Sequence, residues 1–218
     1  MKHFLKKYLS ELVMCAFIAQ ILISPLADKD HRVGGVLALL LFAQILIGLK
    51  FLANRKIALF LVLPLAALWM IARALEAFGD GRHLYSQFSP MAGLALSCAI
   101  LWALLDRFRS SPPETSNVIA EAFISYLVIA VAFSQIYSLL DRTLTGCFNQ
   151  VIAPTQSGTL LYFSMITLSS VGYGGILPLN PYVRLTAALE SMIGIFYVAV
   201  VVARLVAASN RRQTLERK

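Results

Sequence analysis

The sequence predicts an all-α membrane protein of six transmembrane helices, with a short re-entrant helix and a loop between the fifth and sixth. Three observations carry this expectation. Of its 218 residues, 59% are hydrophobic and only 14% charged, where soluble domains run about 45–50% and about 25%, and its mean hydropathy is +0.75. Apolar runs near the ~20 residues that a helix needs to cross a bilayer recur along the chain. One further apolar run is too short to cross.

The elements follow in order. Tyr8–Leu26 is the first span: a basic start leads into an apolar run with no small-residue cleavage site, which argues against a cleavable leader. Val33–Leu52, opened by Gly34 and Gly35, is the second. Ile57–Leu75 is the third, with Pro64 expected to kink it. Phe88–Leu105 is the fourth, its start crowded by Ser86, Gln87, Ser89 and Pro90. Ile119–Leu140 is the fifth and Tyr182–Ala208 the sixth. Between these two lies Gly158–Ser169. As a helix it would reach roughly 18 Å, short of the ~30 Å of hydrocarbon, so it is expected to dip in and return.

Charge orients the spans. Placing the amino terminus in the cytoplasm puts thirteen of the 19 Lys and Arg on that side, against six (Lys29, Arg32, Arg73, Arg82, Arg142, Arg184) on the other. The positive-inside rule therefore predicts a multi-pass protein with both termini cytoplasmic, partnered by membrane lipid. The net charge of +8 sits in short tufts between apolar runs rather than on one aromatic-rich polar face, so nucleic acid is not an expected partner. Cys15, Cys98 and Cys147 show no metal-binding spacing; the first two are expected to be small buried residues and the third a loop residue. Pro112 and Pro113, in the linker Arg109–Ser116, divide residues 1–110, a four-helix membrane unit, from residues 111–218, a helix–loop–helix unit.

The chemistry is concentrated in Ser170-Val171-Gly172-Tyr173-Gly174-Gly175. Non-helical backbone at membrane depth must be buried in protein or line a watery cavity. Glycine adopts positive φ at little cost, so successive carbonyls can be turned to one side. Such a column of oxygens replaces the water shell of a dehydrated cation, and the Ser170 hydroxyl adds a ligand at the inner end. Val171 and Tyr173 are expected to point away and brace the loop from behind. A single loop leaves most of an ion uncoordinated; four around an axis supply rings of oxygens. The negative end of the preceding short helix favours a cation.

Ser170-Val171-Gly172-Tyr173-Gly174 resembles the signature of the potassium-channel pore domain, usually Thr-Val-Gly-Tyr-Gly. Tyr162–Ser169 resembles the family's pore helix, with Phe163, Thr167 and Ser169 at its supporting positions. Pro178, Glu190, Gly194 and the run Tyr197–Val206 follow with the family's spacing. The chain as a whole is similar in plan to small bacterial six-helix potassium channels, the detailed likeness covering about 121–206. The resemblance implies a homotetramer in a bacterial inner membrane. It implies potassium held by the backbone carbonyls of Ser170, Val171, Gly172 and Tyr173 and by the Ser170 hydroxyl, with K+ as permeant ion and no cofactor. Two departures stand out. Ser170 replaces the usual threonine, and Gly175 and Phe163 replace an aspartate and a tryptophan that bond to each other in many members. With Ile166 where some members carry a glutamate, the polar props behind the loop are expected to be thin and packing to hold it instead.

On the last helix, Gly194 reads either as close packing or as a hinge, and Ile195, Val198 and Val202 as an apolar gate. Glu190, an acid within a span, is a candidate by default, with a structural bond behind the loop preferred to ion conduction. No Lys or Arg lies within Phe88–Leu105, so no Arg-rich voltage-sensing helix is expected. His3, His31 and His83 fall at or beyond membrane ends and no Gly-x-Ser-Gly occurs, which excludes an intramembrane serine protease and leaves no enzyme reading. The alternatives to a potassium-selective channel are a less selective monovalent cation channel and a subunit of a pore-loop potassium transporter.

Overall fold

The computed structural model describes residues 14–23, 62–72, 88–110, 118–152 and 157–216. These residues are helical almost throughout. Helices α1 (Met14–Ile23) and α2 (Val62–Ala72) lie within the first and third expected spans. The expected second span, Val33–Leu52, lies outside the described residues. Then come α3 (Phe88–Ser110), α4 (Val118–Thr143), α5 (Ser157–Leu168) and α6 (Pro181–Glu216). Three of them, over Phe88–Asp106, Ile119–Thr143 and Pro181–Ala207, are long and apolar enough to cross a membrane. The 12 residues of α5 are not.

Helix α4 is the hub, packing against α3, α5 and α6. Hydroxyls within the spans are satisfied by the carbonyl three or four residues back: Ser97 donates to Gly93, Ser125 to Glu121 and Ser134 to Val131. This lets a polar side chain sit in an apolar helix without an outside partner. At one end of α4, Tyr137, Phe148, Phe163, Leu160, Ile176 and Val183 form a buried cluster. Further along, Ile129, Ala130 and Leu168 pack with Tyr126 and Tyr197 around them. The Tyr197 hydroxyl donates to the Ala122 carbonyl at 2.7 Å, tying α6 back to α4. Helix α2 joins through Val62 and Ala66 against Leu96 of α3.

Cys147 lies in the loop after α4, as expected, but the other two cysteines are not the buried residues that their apolar runs suggest. Cys15 and Cys98 are exposed on the chain, while Cys147 is buried. On a membrane helix an apolar neighbourhood does not mean an inward face, because lipid accepts the outward one. Cys147 instead caps α4, its thiol donating to the Leu140 carbonyl at 3.4 Å. Burial, with the Asp141 carboxyl adding to it, pushes this thiol above its ordinary range and keeps it protonated.

Candidate functional site

A helix leaves its last four carbonyls without partners inside itself. Three at the end of α5 are taken up by the loop that follows. Ser169 N–H donates to Met165 at 3.1 Å and Ser170 N–H to Thr167 at 2.9 Å; Val171 and Gly172 N–H both donate to Ile166, at 2.9 and 3.1 Å. The loop is thereby fastened to the helix end over its first residues.

Along the same loop φ alternates in sign. Ser170, Gly172 and Gly174 have φ of 58°, 53° and 82°, while Val171, Tyr173 and Gly175 are not in the positive region. In an extended strand successive carbonyls point to opposite sides. Placing every second residue in the mirror-image region turns alternate peptide planes over, so successive carbonyls face the same way. Glycine supplies two of the three positive positions. Ser170 is the third, at a cost of roughly 1–2 kcal/mol for an L-residue, and serine meets it more readily than a β-branched threonine would. Its hydroxyl lies 2.9 Å from that of Ser191 on α6, so the start of the loop is also tied to the last helix.

Residues 169–175 are exposed on the single chain. Val171 and Tyr173, expected to brace the loop, are 51% and 75% exposed.

The residues expected to support the loop lie on α5 and directly after it. Phe163 is buried in a box of edge-on rings, 4.9 Å from Tyr137 and 5.3 Å from Phe148. The Thr167 and Ser169 hydroxyls donate to the backbone of Phe163 and Met165, at 2.8 and 2.7 Å. Gly194 packs against the end of α5 so closely that a Cβ there would lie 1.9 Å from the Leu168 carbonyl oxygen. Ile195, Val198 and Val202 are exposed, at 60%, 50% and 52%.

The structure corrects the expectation of thin polar props. Glu190 is completely buried. It accepts a hydrogen bond from the Tyr137 hydroxyl of α4 at 2.6 Å and shares another with the Ser164 hydroxyl of α5. At the loop's outer end, opposite the glycine that stands for an acid, is Asn149. Its Oδ1 accepts from Leu177 N–H at 2.9 Å and its Nδ2 donates to the Gly175 carbonyl at 3.4 Å. Asn149 N–H also donates to the Leu177 carbonyl at 3.0 Å, and Leu179 N–H to Cys147 at 2.9 Å. Residues 147–149 thus clasp residues 177–179 through a bridge between Phe148 and Pro178. Sequence reasoning flagged Glu190 as an acid within a span but not its partners, and missed the roles of Asn149, Ser164, Ser191 and Tyr137. Each bonds across 21 to 53 residues of sequence, and no local pattern marks such a pair.

Among the described residues no group of His, Cys, Asp and Glu is placed to hold a metal ion. What the site offers a cation is main-chain oxygen. Residues 122–209 match the family model described as an ion channel. No curated protein and no solved structure matches the chain.

Proposed function

With residues 122–209 belonging to the ion-channel family, we propose that the chain is one subunit of a homotetrameric potassium-selective channel. The observation that carries this reading is the alternation of φ along Ser170–Gly174 in a Ser-Val-Gly-Tyr-Gly sequence. Rings of four carbonyls from Ser170, Val171, Gly172 and Tyr173, with the Ser170 hydroxyl innermost, take the place of the ion's water, and K+ passes from ring to ring down its gradient. The tetramer is supported by what the single chain leaves uncovered. Only 11% of the apolar window of α6 is buried, against 44% for α4, and the loop itself is open. Ile195, Val198 and Val202 lie on that uncovered surface, where their symmetry mates would close an apolar constriction that gates by dewetting. In this reading six spans cross a bacterial inner membrane, both termini are cytoplasmic, α5 is re-entrant, and residues 1–110 form the supporting membrane unit.

The second reading, a less selective monovalent cation channel, is favoured by one observation: the outer end of the loop is held at Gly175 by a single 3.4 Å contact. Reversal potentials of the purified protein in planar bilayers separate the two. The selective channel follows the K+ ratio at about 59 mV per tenfold change, the slope for a single charge, and ignores Na+. A reversal potential that stays near zero in opposed K+ and Na+ gradients would sink the potassium reading.

Asn149 is expected to matter most when K+ is scarce, because ions in the rings then no longer hold the carbonyls apart from one another. Removing its side chain forfeits hydrogen bonds each worth about 0.5–1.5 kcal/mol. Asn149→Ala is therefore expected to conduct normally in high K+ and to lose current several-fold faster than wild type after K+ withdrawal. Equal rates would remove Asn149 from the loop's support.

A further inference from the structure

The contacts around Glu190 do not balance if its side chain is charged. Ser164 is completely buried, and its one hydroxyl proton faces two oxygens: the Ala130 carbonyl of α4 at 2.7 Å and Oε1 of Glu190. A carbonyl only accepts, and so does a carboxylate. With Glu190 ionised, one of those close oxygen pairs has no proton between them. Tyr137 cannot supply it, since its single proton already goes to Oε2 at 2.6 Å. The partners of Glu190 are two hydroxyls, with no basic side chain bonded to it among the described residues. A buried carboxylate without a cation is strongly disfavoured.

One added proton resolves all three contacts. We propose that Glu190 is a neutral carboxylic acid that donates to Ser164, and that this latch is a positioning element for the carbonyl loop. In the resulting chain Tyr137 donates to Glu190, Glu190 to Ser164 and Ser164 to Ala130, each contact bridged by one proton. The chain joins α4, α5 and α6 at a single point. Ser164 lies two residues before Ile166, whose carbonyl accepts the amides of Val171 and Gly172. Four residues beyond Glu190, Gly194 abuts Leu168 at the end of the same helix. The latch therefore sets the height and rotation of α5, and through it the first carbonyls of the loop. This second half rests on the channel reading; the protonation state does not.

The two halves are tested separately. Glutamine reproduces the acid's pattern, with an oxygen to accept from Tyr137 and an amide to donate to Ser164; leucine reproduces neither. Infrared spectra of the purified protein at neutral pH are expected to show a protonated-carboxyl carbonyl band that vanishes in Glu190→Gln and shifts in Ser164→Ala. No band difference between wild type and Glu190→Gln overturns the neutral acid, whatever the protein conducts. In liposomes Glu190→Gln is expected to keep K+ flux within about twofold of wild type, and Glu190→Leu to lose at least tenfold. Equal loss in both overturns the latch. Should Glu190→Leu not assemble, Tyr137→Phe, which removes one donor and leaves the packing, is expected to speed loss of current in low K+; an unchanged rate overturns the positioning role. If wild type itself carries no K+ flux, the channel reading and the positioning role both fall, while the infrared band still decides the acid.

Discussion

Gly174→Ala is expected to abolish K+ flux, while Gly175→Ala, one residue on, is expected to leave most of it. The two glycines are neighbours with equal room: a Cβ at either meets nothing within 4 Å. They differ in backbone. Gly174 has φ of 82°, and Gly175 is not in the positive region. An L-residue in the left-handed region costs roughly 1–2 kcal/mol. A tetramer carries the substitution four times, once in each subunit, for about 4–8 kcal/mol in total if the copies add. At 1.4 kcal/mol per factor of ten, that leaves the conducting arrangement roughly a thousandfold or more less populated. The inexpensive escape is to turn over the peptide plane between residues 173 and 174, which takes the Tyr173 carbonyl out of the column. Liposome flux of the two variants beside wild type checks this. Equal flux in Gly174→Ala and wild type would dispose of the carbonyl-column assignment; equal loss in both would mean that side-chain bulk, not φ, governs the loop.

That contrast between adjacent glycines shows where sequence reading reaches its limit. The backbone of the Ser-Val-Gly-Tyr-Gly run was legible because the signal is local: glycine takes positive φ at little cost, and Gly172 and Gly174 do so. Positive φ at Ser170 was not legible, since serine carries no such signal. The length of α5 was readable to within a residue at each end, because hydrophobicity and the bilayer's thickness constrain it. The end of α6 was not. It continues from Ala208 to Glu216, through polar residues such as Arg211 and Gln213 that are good helix formers in water. Burial in a membrane chain is also hard to read from composition, as Cys15 and Cys98 show by being exposed where buried residues are expected. Hardest of all were partnerships across the fold. Gly175 and Phe163 implied a support that had been lost. Its replacement by Asn149 on the preceding loop, and by Glu190 with Ser164 behind α5, depends on how three helices meet.

Gly194→Ala is expected to destabilise the protein and cut K+ flux together, which decides between the two readings of that glycine. Alanine in place of a mid-helix glycine gains about 1 kcal/mol of helix propensity, so an unpacked hinge residue would become more stable on substitution. The surroundings oppose that gain. The new methyl would lie 1.9 Å from the Leu168 carbonyl oxygen, where Cβ contacts do not come below 3.0 Å, and 2.9 Å from the carbonyl carbon. These are backbone atoms, and no side-chain rotation relieves the clash. Helix α5 must move away from α6 by about 1 Å or more, at an overpacking cost typically about 1–3 kcal/mol per copy. Small residues at such crossings are what let membrane helices approach this closely. The displaced atoms belong to Leu168, and the next two residues are Ser169 and Ser170, so the strain passes directly into the loop. Thermal unfolding of the detergent-solubilised protein, measured alongside liposome flux, checks this. A lower melting temperature with lost flux fits packing. Lost flux at an unchanged or raised melting temperature would show instead that Gly194 serves as a hinge, and that the close approach at Leu168 yields without consequence.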